Sequence, residues 1–81
     1  MYYVYILLSK KDKKYYIGFT SNLKRRLKEH NLGKVKSTKN RIPLELLCCE
    51  IYKNKIVALK RELYLKSSDG HKDLDRRFKN S

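Results

Sequence analysis

Tyr2-Tyr3-Val4-Tyr5-Ile6-Leu7-Leu8 and Lys14-Tyr15-Tyr16-Ile17-Gly18-Phe19 flank a polar break, Ser9-Lys10-Lys11-Asp12-Lys13. Aromatic, β-branched and aliphatic side chains suit the pleated, half-buried surface of a strand, and the lysine-rich break between them suits a turn. Residues 2–19 are therefore expected to form a β-hairpin. Five of the seven tyrosines lie within it. In so small a domain most of them must be bulky cross-strand packing partners, with nucleotide stacking the alternative role for some. If Tyr5 and Tyr16 serve one site they must share a face of the sheet. Antiparallel partners share a face, and the numbers of these two residues sum to 21, so the hairpin must adopt an odd-sum register. Val4 would then face Ile17 and Leu7 would face Lys14, whereas an even-sum register would part the two rings.

Beyond the hairpin, Ser21 is placed to cap a helix over 22–32, with Gly33 as its terminator. A basic, polar loop follows over 34–41. Pro43 precedes a third strand over 45–52, whose centre, Leu46-Leu47-Cys48-Cys49, predicts burial on both faces. Ile56, Leu59 and Leu63 recur at helical spacing over 55–67 and predict the inward stripe of a second helix. Leu74 and Phe78 predict a short last helix after Gly70. The order β-β-α-β-α-(α) implies an α+β fold, a three-stranded, mostly antiparallel sheet packed by helices, in one domain over 1–81.

The 81 residues carry 21 Lys+Arg against 8 Asp+Glu, a formal charge of +13. Such an excess calls for an anionic partner or is carried as self-repulsion. A chain of this length buries only about 60% of its unfolded surface, which leaves room for one thin core and no second domain. Hydrophobic residues at 41% argue against disorder, and no apolar run is long enough to cross a bilayer. No secretory leader is expected. Cys48 and Cys49 are adjacent, so on a strand they point to opposite faces and cannot readily bridge each other; they are expected to be small buried hydrophobes in a reducing compartment. These features predict a small, soluble, cytoplasmic domain that faces nucleic acid.

At roughly 100° per residue, Lys24, Arg25 and Lys28 fall on the outer side of the first helix, while Arg26 and His30 fall beside the Leu23–Leu27 stripe. A cation at that inner edge needs an acceptor from the protein or from a bound phosphate. For either residue alone, a snorkelling Arg or a hydrogen-bonded core-edge His is the more ordinary explanation. Glu62 borders the stripe of the second helix, with Lys66 as an i, i+4 partner. It is one of few acids in a strongly basic chain, and a carboxylate beside a basic cleft can hold a hard divalent cation. A tyrosine with a pKa near 10 needs help from a metal, Lys or His to act as a base at neutral pH.

Taken together, Tyr3-Val4-Tyr5, Tyr16-Ile17-Gly18, the run from Thr20 to Leu27 with Arg26, then His30, and later Ala58 with Glu62 resemble the GIY-YIG nuclease superfamily. The stretch His30-Asn31-Leu32-Gly33-Lys34, Thr38 and Pro43 is similar to its small stand-alone bacterial members, which resemble the catalytic domain of the excision-repair incision nuclease. The resemblance spans about 2–67, and Tyr3 stands where the signature opens with Gly. It implies hydrolysis of DNA phosphodiester bonds with one divalent ion, Mg²⁺ or Mn²⁺, held by Glu62. By the same resemblance Arg26 would stabilise the transition state, Tyr5 and Tyr16 would position or deprotonate the attacking water, and His30 would orient a Tyr or the water. Lys24, Arg25, Lys28, Lys34, Lys36, Lys39 and Arg41 would grip backbone phosphates. Nothing supplies a base-reading element, so branched, single-stranded or damaged DNA is the expected substrate and repair the expected setting. The alternative is a non-catalytic, basic nucleic-acid-binding module of the same fold, RNA-directed included.

Overall fold

The computed structural model describes residues 1–79; the last two residues of the expected 1–81 domain lie outside the described residues. The elements are β1 (Tyr2–Ser9), β2 (Tyr15–Thr20), α1 (Leu23–Asn31), β3 (Leu44–Tyr52), α2 (Lys55–Lys66) and α3 (Ser68–Phe78). They form an α+β fold with one antiparallel sheet of order β2-β1-β3. None of the described helices is long and apolar enough to cross a membrane.

The central strand carries the core. Val4, Tyr5, Ile6 and Leu7 are each at most 1% exposed. Val4, Ile6 and Ile17 face Ala58 and Leu65 of α2 and Leu74 of α3. Tyr5 and Leu7 face the other way, with Leu44, Tyr16 and the α1 residues Leu23 and Leu27. The sheet thus lies between α1 on one face and α2 with α3 on the other.

Burial on both faces belongs to β1 and not, as the apolar run suggested, to β3. As an edge strand β3 leaves Leu46 and Ile51 exposed, and Cys48 and Cys49 are half-buried free thiols rather than core residues. They do point to opposite faces, opposite Ile6 and Tyr5.

The period of α2 is as expected, but its phase is not. Ile56 and Leu63 are 64% and 67% exposed, while Ala58 and Leu65 are fully buried. The small side chain of Ala58 lets the helix approach the sheet, a preference that hydropathy alone does not register. Helix α3 is longer than expected and starts before Gly70, capped by Ser67. Gly70 sits in the crossing of the two helices, where a Cβ would strike the backbone of Tyr64 and Leu65. Its Leu74 is buried and its Phe78 packs on the core, as the spacing predicted. Asn22, not Ser21, caps α1, its side chain accepting from the Arg25 amide.

The hairpin register is odd, though shifted by one pair from the expected one. Partner numbers sum to 23, so Tyr5 faces Gly18, Leu7 faces Tyr16 and Val4 faces Phe19. Tyr5 and Tyr16 consequently share a face as diagonal neighbours, with ring centres 6.5 Å apart.

Candidate active site

Tyr5 lies at the middle of the site because Gly18 has no side chain. Its ring passes directly over that glycine, and a Cβ there would collide with the ring carbon bearing the hydroxyl and with the hydroxyl itself. Crossing β2 in this way, the Tyr5 hydroxyl comes within 2.9 Å of His30 Nε2. The other ring nitrogen, Nδ1, is 2.8 Å from Thr38 Oγ1. Tyr5, His30 and Thr38 are all within 1% of complete burial. A His30 protonated at Nδ1 satisfies both bonds, Nδ1–H donating to Thr38 while Nε2 accepts from the Tyr5 O–H.

Burial, reinforced by the nearby Arg26 cation, pulls the His30 pKa down to about 4, so the ring is neutral at pH 7. Burial likewise pushes the Tyr5 hydroxyl above its ordinary value; Arg26 opposes the rise, and the charges of Tyr16 and Glu62 add to it. The guanidinium of Arg26 is in turn held more firmly protonated, first by Tyr5 and then by Glu29, its ion-pair partner at 3.4 Å. Tyr16 packs edge-on against His30 at 5.1 Å between ring centres, and its hydroxyl accepts from Ser37 at 3.4 Å.

Glu62 comes from the helix on the opposite face of the sheet, yet its charge acts on the Tyr5 hydroxyl. Its side chain is only 15% exposed and pairs with Lys66 at 3.2 Å, as the i, i+4 spacing predicted. Among the described residues no three His, Cys, Asp or Glu side chains cluster as a closed metal cage. A single carboxylate suits Mg²⁺ or Mn²⁺ better than it would suit zinc. A hard ion that retains several waters is commonly held by one or two carboxylates plus the substrate's own phosphate.

The expected phosphate-gripping cations divide into two groups. Lys24, Arg25, Lys28, Lys34, Lys36 and Lys39 are exposed on α1 and the following loop. Arg41 is engaged elsewhere: it pairs with Asp12 at 2.7 Å and donates to the carbonyls of Lys14 and Tyr15, tying that loop to the hairpin. Ser9, fully buried at the hairpin turn, donates to the Arg41 carbonyl and strengthens the same tie. A cleft of about 560 Å³ between the turn and α3, lined by residues including Lys13, Arg41 and His71, contains none of the Tyr5 constellation. The constellation itself has a buried centre of Tyr5, His30 and Thr38, with Tyr16 and Arg26 half-buried at its rim.

Two positions that carry the resemblance, Thr38 and Gly18, have roles that the sequence did not reveal. Thr38 fixes His30 from a loop that reads as uniformly basic and polar, and Val35 is buried in that loop beside it. An aperiodic loop gives no indication of which of its polar residues turns inward. Gly18 read as part of a signature, but its role as the seat of the Tyr5 ring depends on the register.

Comparison with known proteins bears on the family of the chain. The model of the GIY-YIG catalytic domain matches residues 1–74, seven residues further than the resemblance reached. A UPF0213 protein of Clostridium perfringens is 46% identical over 67 residues, 82% of this chain and 71% of that protein. Another, of Natronomonas pharaonis, is 42% identical over 82% of this chain and 78% of its own length. The solution structure of the UPF0213 protein of Bacillus halodurans is similar in fold, with a TM-score of 0.60 and 34% identity over 96% of this chain and 86% of that one.

Proposed function

The chain belongs to the GIY-YIG catalytic domain family, a family of nucleases, and from that premise we propose that it is a divalent-metal-dependent endonuclease hydrolysing DNA phosphodiester bonds by structure rather than by sequence. The observation that carries this is the Tyr5 hydroxyl, hydrogen-bonded to a buried neutral His30 while Arg26, Tyr16 and Glu62 all act on its charge. A packing tyrosine would not need a buried acceptor imidazole, itself held by Thr38, at its one polar atom.

In the proposed reaction a water attacks phosphorus and the bond to the leaving oxygen breaks. Tyr5 takes a proton from that water while passing its own to His30 Nε2. His30 can accept it because its ring is neutral, and the phosphate bound beside Arg26 offsets the cation that disfavours a protonated ring. Thr38 holds the imidazole in register, and Tyr16 completes the wall beside it. Arg26 faces the charge that grows on the non-bridging oxygens, a task suited to a planar, permanently charged guanidinium. The divalent ion, held by Glu62, would polarise the phosphoryl group and stabilise the leaving oxygen. Lys24, Arg25, Lys28, Lys34, Lys36 and Lys39 would track backbone phosphates without reading bases, and a cytoplasmic role in DNA repair is consistent with such a substrate.

Nicking of supercoiled, branched and single-stranded DNA with and without Mg²⁺ or Mn²⁺ tests the proposal. Glu62→Ala should abolish cleavage and leave DNA binding equal or tighter, since a negative charge has left a basic surface. Cleavage by Glu62→Ala at the wild-type rate would refute the assignment.

A further inference from the structure

Six of the seven tyrosines have partners for their ring or hydroxyl. Tyr2 stacks on Phe19, Tyr5 bonds His30, Tyr15 bonds Asp75, Tyr16 bonds Ser37, Tyr52 donates to Glu50, and Tyr64 lies under Arg61. Tyr3 is the exception: among the described residues it has neither a side-chain hydrogen bond nor a ring partner. It stands two residues from Tyr5 on the same face of β1, about 6.6 Å along the strand. Its neighbours across the sheet are Thr20 on β2 and Ile51 on β3, and Ile51 is 60% exposed. Helix α1 covers the other end of this face, over Leu7 and Leu44. The Tyr3–Ile51 end, with Tyr3 half-buried and Ile51 exposed, is an apolar shelf on the same face of the sheet as Tyr5.

The surroundings of the shelf are cationic. Lys24 and Arg25 open α1 just after Thr20, and Lys53 follows β3, all three of them exposed. A second copy of the chain, also at +13, would bring like charges together here. A nucleobase, by contrast, has an apolar face and carries its phosphates at its edge. We propose that Tyr3 and Ile51 form a stacking shelf for an unpaired base next to the scissile phosphate, so that the substrate strand is single-stranded at the point of cleavage. This rests on the reading of the Tyr5 site as the place where that phosphate lies. A paired base could not lay its face on the shelf, since that face is already occupied by its neighbours in the stack.

The test is binding in metal-free buffer, which separates the shelf from catalysis. Fluorescence anisotropy would compare a short single-stranded oligonucleotide with a blunt duplex, using the wild type, Tyr3→Ala and Tyr3→Phe. Losing one base–aromatic stack should weaken single-strand binding by roughly 5- to 150-fold in Tyr3→Ala, while Tyr3→Phe stays within about twofold. Duplex binding should stay within about twofold in both variants and also reports that each is folded. The salt slope should not change, because the same phosphates stay neutralised. With the wild type, an abasic residue moved along the strand should cost affinity at one position. Equal weakening of single strand and duplex, a Phe variant as weak as the Ala variant, or an abasic scan with no sensitive position would each overturn the shelf. A chain that binds through Tyr3 but never cleaves would leave the shelf standing and sink the nuclease assignment instead.

Discussion

Replacing Gly18 with Ala is the sharpest test of how the site is built, because backbone and packing effects predict opposite signs. Gly18 has no left-handed backbone conformation to protect, so Gly→Ala at such a strand position should stabilise by about 0.4–1 kcal/mol through the unfolded chain. Against this, the new Cβ would occupy the space of the Tyr5 ring end. That ring is 1% exposed and cannot swing into solvent without breaking its bond to His30. Overpacking costs about 1–3 kcal/mol, and an unpartnered buried imidazole nitrogen about 1–3 more. The net effect is a loss of about 3 kcal/mol, which in a domain of this size lowers Tm by roughly 12–24 °C. Cleavage should fall by about 10² or more, the contribution typical of a positioned proton-transfer group. Urea denaturation and a nicking assay measure the two effects. In a Tyr5→Leu background, where the ring end is absent, the same Gly18→Ala change should cost far less. If the two substitutions were additive to within about 0.5 kcal/mol, the ring would not rest on Gly18 and the account of the site would fail.

Other outcomes follow from the same structure. Replacing Lys24, Arg25 and Lys28 together should flatten the dependence of log affinity on log salt by about 0.7–0.9 for each phosphate that is no longer gripped; an unchanged slope would place the DNA elsewhere. His30 has a folded pKa of about 4 against an ordinary 6.5, so the unfolded chain binds the extra proton between those values. Stability should therefore be lost as pH falls from about 6.5 towards 4, by about 3 kcal/mol in all, and a His30→Gln chain followed by urea denaturation should lack that loss. Glu50 has a different balance: burial pushes its carboxyl up, but bonds from Arg61 and Tyr52 outweigh it and leave the pKa below the ordinary carboxylate range. Its contribution is present above that range and lost as pH falls through the folded value. Glu50→Gln should cost about 1–3 kcal/mol at pH 7, read by thermal melting, because it weakens the ion pair with Arg61 at 2.9 Å.

The hairpin, the element order and the face shared by Tyr5 and Tyr16 were legible because each rests on a local pattern: alternation, capping, or the parity of a register. What was not legible depends on the sheet as a whole. The run Leu46-Leu47-Cys48-Cys49 is as apolar as Val4 to Leu7, and nothing local reveals that β1 lies between two strands while β3 is an edge. Helix α2 illustrates the point further. Its large residues define one stripe, but the sheet receives the opposite side because Ala58 allows a closer approach than Ile56 or Leu63 would. Glu62 borders either stripe, so its place at the inner edge was anticipated although the helix is turned about its axis. Thr38 was opaque for a simpler reason, since a loop has no period from which to infer an inward side.

The division of the site between the two faces of the sheet has a chemical consequence. His30, Thr38, Arg26 and Tyr16 reach Tyr5 from the α1 side, whereas Glu62 belongs to a helix packed on the other. In the proposed reaction the first set handles the proton and the growing charge, and Glu62 alone serves the ion. A substitution within the first set should alter the pH dependence of cleavage, since the buried Tyr5–His30–Thr38 bonds are coupled. A substitution at Glu62 should alter the dependence on metal concentration while leaving His30 titrating as before, because α2 contributes nothing to the hydrogen bonds that hold the ring. Both sides act on the Tyr5 hydroxyl, through Arg26 and Glu62 with opposite sign. Its acidity should therefore rise when Glu62 is neutralised and fall when Arg26 is. If both substitutions shifted it in the same direction, the two faces would not meet at Tyr5.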